Sequence, residues 1–382
     1  MATAFLVLSA ILTLLHLASC AIVALRLRAV APVVTHRPCV TLLRPVCGID
    51  SFDEATLGSS FRIDWPDYEI IFCAARADDP AVALVRRLIA RNPQVPARLL
   101  LGEERISGNP KLNNLAKGWR AARGARIVMA DANLMLPPDY FARLLSVEDA
   151  ATGLVTSPPV GTVPDGFWGA VEAAFLNGNQ ARLQLSADAL GAGFAQGKTL
   201  MWQRDVLEHA GGLAALGRTL AEDVAATQVV RAAGLRVRLA RIPFAQPIGR
   251  RDRAAVWARQ LRWSRVRRDG FPALFLLEPL NGALVPAGLA GVALGPSGAL
   301  CVAALHYGAE LALCRRAGWP VGWAGLPAMV TRDLMMPLLW GATFARRGFE
   351  WRGNVLSPQP PDPPSRAPSS PVPPLRTATL SE

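Results

Sequence analysis

The chain has 382 residues, 51% of them hydrophobic, enough for one α/β domain with apolar additions and too apolar for a disordered polypeptide. Its 41 Lys and Arg against 29 Asp and Glu give a net charge of +12, which favours acidic partners such as anionic lipid or a nucleotide diphosphate. The six cysteines show no CxxC spacing, which argues against a disulfide framework or a zinc site, and no compact base-reading module is visible, so nucleic acid is not an expected partner.

Residues 2–25 carry no formal charge. As a helix they extend about 36 Å, enough to span a hydrocarbon core of about 30 Å. No basic segment precedes them and the run exceeds that of a usual signal peptide, so residues 1–28 are expected to be a transmembrane anchor. Arg26, Arg28 and Arg37 follow, which by the positive-inside rule puts the next domain in the cytoplasm.

Apolar, β-rich runs at 40–45, 69–74, 97–101 and 127–130 read as buried strands, with helical patterns after the acidic turn at 76–80 and over 112–122. This alternation predicts an α/β domain over 38–270, built on a mostly parallel sheet with helices on both faces. Prolines 158, 159 and 164 force a loop before a helix over 168–185. The Gly-rich turn at 191–198 lacks Walker spacing and reads as a flexible pocket wall at most. Helices over 204–210 and 222–233 precede a strand at 236–240. Residues 250–268 hold eight arginines with Trp257 and Trp263 among them.

Two apolar pieces, 280–294 and 299–314, flank Gly295-Pro-Ser-Gly298 and predict a membrane hairpin or kinked pair, with Arg315 and Arg316 returning to the cytoplasmic face. A further apolar region, 319–345, contains Arg332 and Asp333, placed to pair in a protein-lined or interfacial position; whether it crosses is left open by its pattern. C-terminal membrane-embedded helices are thus expected over 271–350, and a Pro-rich disordered tail over 357–382.

Four places hold residue types suited to chemistry. Asp131 and Asn133 end a strand at the carboxyl edge of the sheet, where open α/β sheets bind ligands. Asp79 stands before Pro80, where it also suits a helix cap, and Glu222-Asp223 also suits the acidic first turn of a helix. Arg259, Arg262 and Trp263 lie at i, i+3 and i+4, so one helix face presents two guanidinium groups and an indole.

Together these places resemble the family 21 glycosyltransferases, relatives of family 2, and most closely the ceramide glucosyltransferases. The resemblance covers about 40–353. It rests on Leu43-Arg-Pro-Val-Cys-Gly-Ile-Asp50, Asp78-Asp-Pro-Ala81, Gly108-Asn-Pro-Lys-Leu-Asn-Asn-Leu115, the Asp131 site, Leu220-Ala-Glu-Asp223, Arg259-x-x-Arg-Trp263 and Trp351-Arg-Gly353, in that order. It implies a GT-A type nucleotide-sugar transferase domain and inverting transfer, on the cytosolic side, from a UDP-sugar donor to the primary hydroxyl of ceramide. In that reading Asp79 binds the uridine part, Asp131 the ribose or a divalent cation, and Asp223 is the general base. Arg262 and Trp263 hold the diphosphate and border the acceptor, while Lys111 and Arg259 are further donor-binding residues.

Two positions depart from the family pattern. Ala75-Arg76-Ala77 precedes the Asp-Asp-Pro turn where an acidic residue is common, and Asn133 stands where a second Asp is common. A Mg2+ or Mn2+ site at Asp131 and Asn133 therefore has one charge fewer, although an amide oxygen still coordinates such ions. Two alternatives remain from the sequence: a hopanoid-directed N-acetylglucosaminyltransferase, and a non-catalytic membrane scaffold that binds nucleotide or anionic lipid. The sugar itself is not legible.

Overall fold

A computed structural model describes residues 1–30, 32–219 and 221–345, together with the backbone of 349–351 and 354–356. The expected tail over 357–382, Leu220 of the fifth motif and residues 352–353 of the last motif lie outside the described residues.

Nine strands organise the chain up to residue 250. They are β1 (Val40–Val46), β2 (Tyr68–Ala74), β3 (Ala97–Leu101), β4 (Arg126–Ala130), β5 (Thr152–Thr156), β6 (Pro159–Asp165), β7 (Thr199–Gln203), β8 (Arg236–Leu239) and β9 (Phe244–Arg250). Seven form one sheet in the order β3-β2-β1-β4-β7-β5-β8. All neighbours pair in parallel except β7, which runs antiparallel to both β4 and β5; β6 and β9 form a separate parallel pair. The expected α/β class with a mostly parallel sheet is borne out.

The central strands read as continuous apolar runs because both faces are covered. Leu42, Ile70 and Phe72 point to one core with Val82 and Val85 of helix α1 (Pro80–Arg91) and with Phe141; Leu43 and Ile71 point to the other with Leu112, Leu115 and Trp119 of helix α2 (Pro110–Ala121) and with Trp202. Pro110 at the first turn and the Asn109 side chain, which accepts from the Lys111 N–H, start α2 where β3 has turned back.

Beyond β6 the expected helix is one rod in three parts: α3 (Gly166–Ala174), a π-helical stretch (Phe175–Ala181) and α4 (Arg182–Ala189). Helix α5 (Glu222–Ala232) precedes β8, and the arginine-rich helix α6 (Arg253–Gly270) starts at Asp252, whose carboxylate accepts from the Ala255 N–H at 2.7 Å.

The apolar ends meet. The amino-terminal helix, Ala2–Arg26, packs against both Leu284–Leu294 and Pro296–Ala317, which fold back on each other at Gly295. Gly295 has φ of +76°, a conformation that suits a residue with no Cβ. A last helix, Gly325–Thr343, packs along α3 and α6. The expected Arg332–Asp333 pair forms at 2.8 Å with both side chains buried, and Glu310 completes it, accepting from Arg332 Nη2 at 2.9 Å.

Candidate active site

The site is built where three turns converge on the carboxyl end of β4. The antiparallel register sets Ala130 opposite Thr199, and the Asp131 N–H donates to the Lys198 carbonyl at 3.1 Å, so the main chain fixes residues 131 and 198 side by side. Helix α2 brings Lys111 from one side, and α5 brings Glu222 and Asp223 from the other.

Their charges interlock. Lys111 Nζ lies 2.7 Å from both Asp131 Oδ1 and Glu222 Oε1, and it donates to the Gly197 carbonyl at 2.8 Å. Lys198 Nζ lies 2.9 Å from Asp131 Oδ2 and donates to Asn133 Oδ1 at 3.1 Å. Glu222 Oε2 accepts from the Asn109 amide at 3.0 Å. Burial by itself pushes the Asp131 carboxyl up, but the two ammonium groups outweigh it and hold it well below the usual carboxylate range. Burial likewise opposes the charge of Lys111, yet its two carboxylates raise it above an ordinary lysine. Lys198 falls the other way: burial lowers it, Asp131 opposes that, and Arg259 and Lys111 add to the lowering.

Asp223 is set apart from this network. Its Oδ2 accepts from the Gly197 N–H at 3.2 Å and its Oδ1 from the Val224 N–H at 2.9 Å. Burial, then the neighbouring Glu222 carboxylate, pushes its carboxyl up to about 6. A carboxylate with that affinity is poised to take a proton near neutral pH. Gly197 is required where it stands, because a Cβ there would lie 2.9 Å from Glu222 Oε1.

The other expected residues occupy the same edge at different depths. Asp79 caps the helix Pro80–Arg91, accepting from the Ala81 N–H at 2.8 Å, and also takes the Gly48 N–H on both oxygens at 3.0 Å. It thus bridges the turns after β1 and β2, and the capping role allowed by sequence is real. On α6, Arg259 Nη1 donates to the buried Glu172 of α3 at 2.9 Å, while Arg262 and Trp263 on the same helix are partly exposed. Glu172, Asn109, Glu222 and Lys198 were not singled out from the sequence as site residues. Lys198 carried one signal, the lysine that closes the Gly-rich turn, and that turn forms the floor of the site, beyond the expected pocket wall.

The fit of a divalent cation follows from these distances. The Asp131 and Asn133 oxygens converge on one point, as ligands of an ion would, but the point is occupied by the Lys198 ammonium. Both Asp131 oxygens are committed to lysines, and no group of three or more His, Cys, Asp or Glu suited to a metal stands among the described residues. As arranged, these residues do not fit a resident Mg2+ or Mn2+.

The sequence profile described as Glycosyl transferase family 21 matches residues 7–360. The chain is 29% identical over 248 residues to ceramide glucosyltransferase 1 of Caenorhabditis elegans, covering 64% of this chain and 53% of that protein. It is 40% identical over 99 residues to the ceramide glucosyltransferase of Komagataella phaffii, covering 25% and 19%. The aligned part therefore spans about half the length of the nematode protein. Among solved structures it is similar to a mannosyltransferase from Pyrobaculum calidifontis in complex with GDP-Man and Mn2+, with TM-score 0.48 and 19% identity over 89% of this chain and 95% of that one. A second is glucosyl-3-phosphoglycerate synthase from Mycobacterium tuberculosis in complex with Mn2+, UDP and glucosyl-3-phosphoglycerate, with TM-score 0.37 and 15% identity over 61% and 79%.

Proposed function

Given that this chain belongs to glycosyl transferase family 21, we propose that its α/β domain is of GT-A type and that it is an inverting glycosyltransferase that moves a sugar, glucose first, from a UDP-sugar to the primary hydroxyl of ceramide. The observation that carries this reading is Asp223: a carboxyl raised to about 6, held by the Gly197 and Val224 N–H groups next to Glu222, the ion-pair partner of Lys111.

In the proposed reaction the lipid oxygen attacks the anomeric carbon and gives its proton to Asp223, while the bond from that carbon to the β-phosphate oxygen breaks and its electron pair leaves with UDP. One base suffices for a single displacement. Asp79 would meet the uridine part and Asp131 the ribose, with Lys111 orienting Asp131 and Glu222. Arg262 would hold the diphosphate with its planar fork of donors, Trp263 would border the acceptor, and Arg259, tied to Glu172, would fix the face of α6 that carries them. No step is assigned to a metal ion.

The acceptor and the membrane reading have their own support. Two helices, Ala2–Arg26 and Pro296–Ala317, are long and apolar enough to cross a bilayer. The first turns its polar stripe inward, burying Ser9, Thr13, His16 and Ser19, and leaves Val7, Ile11, Leu14 and Leu15 outside, the arrangement expected when the surrounding solvent is hydrocarbon. A mainly apolar cavity of about 110 Å³ lies between α3 and the following helices, lined by Ala170, Ala174, Trp323 and Met329 among others. We therefore place residues 1–28 and 271–350 in the membrane and 38–270 on the cytoplasmic side, in a bacterial inner membrane.

The test is UDP release by the full chain in detergent with UDP-glucose and ceramide, repeated with a panel of donors and with mass spectrometry of the lipid. A glycosylated ceramide from the wild type, and loss of at least about 100-fold in Asp223→Asn, is the expected result. Failure of every UDP-sugar, or a fully active variant, overturns it.

A further inference from the structure

We propose that Lys198 takes the place of a divalent cation in the donor site, its ammonium supplying the positive charge that faces the leaving diphosphate. This rests on the UDP-sugar reading above and concerns how the same site handles its charge.

The position is set by the main chain. Lys198 immediately precedes β7 and stands opposite Asp131 through the Ala130–Thr199 register and the bond between the Asp131 N–H and the Lys198 carbonyl. The turn before it is pinned as well: Thr156 Oγ1 donates to the Thr199 carbonyl at 2.7 Å and accepts from the Gln196 N–H at 3.0 Å. A side chain rooted there reaches the Asp131 edge without rearrangement.

The charges agree with that placement. A metal ion held by Asp131 Oδ2 and Asn133 Oδ1 would sit about 2.0–2.6 Å from each oxygen, in the space where Lys198 Nζ already lies at 2.9 and 3.1 Å. Entry would require expelling a buried ammonium from its carboxylate, with Lys111 on the other Asp131 oxygen. Asn133 belongs to the same arrangement: its amide oxygen accepts from the ammonium and brings no negative charge for an ion to bind. Lys198 is given no part in the proton transfer, so the balance of the reaction is unchanged, with the lipid proton on Asp223 and the bond electrons on UDP.

The experiment is titration of the full chain in detergent with UDP, in EDTA and again in excess Mn2+. The wild type is expected to bind UDP with affinities that agree within about twofold in the two buffers. Lys198→Met is expected to bind at least tenfold more weakly in EDTA and to recover in Mn2+, because loss of the ammonium frees the two oxygens for the ion. Lys198→Arg, which keeps the charge, should remain indifferent to EDTA. A wild type whose UDP affinity falls tenfold or more in EDTA overturns the proposal, as does a Lys198→Met variant that binds like the wild type in EDTA. The wild-type comparison needs no variant to fold. Absence of UDP binding in both buffers instead defeats the UDP-sugar reading, and the proposal with it.

Discussion

At the scale of residues, the site separates two kinds of carboxylate by what each is bonded to. Asp131 lies between two ammonium groups and stays ionised, while Asp223 accepts from the Gly197 and Val224 N–H groups and rises to about 6, through burial first and Glu222 second. A base must be ionised to accept a proton, so kcat/KM should climb through about pH 6 and level off above it, a profile measurable with buffers from about pH 5 to 8. The stability effect has the opposite sense. The folded pKa lies above the ordinary value of 3.8, so between about pH 4 and 6 the folded chain holds a proton that the unfolded chain has lost, and stability falls as pH rises through that window. Asp223→Asn removes the penalty of burying that charge. At pH 7.5, by choice of buffer, its melting temperature should equal or exceed that of the wild type while turnover is lost; a fall of several degrees would make Asp223 a structural residue. Of these residues the sequence pointed to Asp131, Asp223 and Lys111 but not to which of them pair, nor to Lys198 and Glu222, because an ion pair such as Lys111 with Glu222 joins positions more than a hundred residues apart.

At the scale of elements, legibility followed how local the signal was. Strands β1 to β4 stand out as apolar runs, β8 was expected as well, and the structure has all five. Strand β6 was hidden by Pro159 and Pro164, read as loop residues, and β9, which contains Pro247, was not expected; the pair tolerates its prolines because it stands outside the main sheet. Strand β7 carries no periodic pattern, since both its faces are buried, and its antiparallel direction depends on where β4 and β5 lie. The rod from Gly166 to Ala189 was expected as an ordinary helix, yet its middle is π-helical where it meets the buried ion cluster. A Cβ on Gly178 would lie 1.7 Å from Glu310 Oε1, and Glu310 is held by Arg332 with no exposed side to move into. Gly178→Ala should therefore break that pair and destabilise the protein by about 3–5 kcal/mol. Thermal unfolding in detergent would show it as a large drop in melting temperature, with Gly322→Ala, which meets nothing within 4 Å, close to wild type. Equal behaviour of the two variants would remove the cluster from any structural role.

At the scale of the whole molecule, the amino-terminal helix and the 284–317 hairpin are far apart in sequence but form one packed unit, joined by the Ser9 hydroxyl to the Pro286 carbonyl at 2.7 Å and by the stacked rings of His16 and His306. Arg26 ties that unit to the sheet side through Asp188 at 2.7 Å. If residues 38–270 face the cytoplasm, a membrane-impermeant maleimide should label exposed Cys47 in inverted vesicles and not in intact cells, in a variant that retains Cys47 alone. Labelling from the outside would reverse the orientation. Hydropathy, net charge and the order of short motifs were enough by themselves to give the fold class, the apolar ends and the family, because each is written in neighbouring residues. The tertiary structure alone decided what those residues do to one another. Lys198 became the partner of Asp131 through strand register, Glu310 the partner of Arg332 through helix packing, and Asp223 a weak acid through burial beside Glu222. Charges and hydrogen bonds act over a few ångströms, and which groups come that close is fixed only when distant segments fold together.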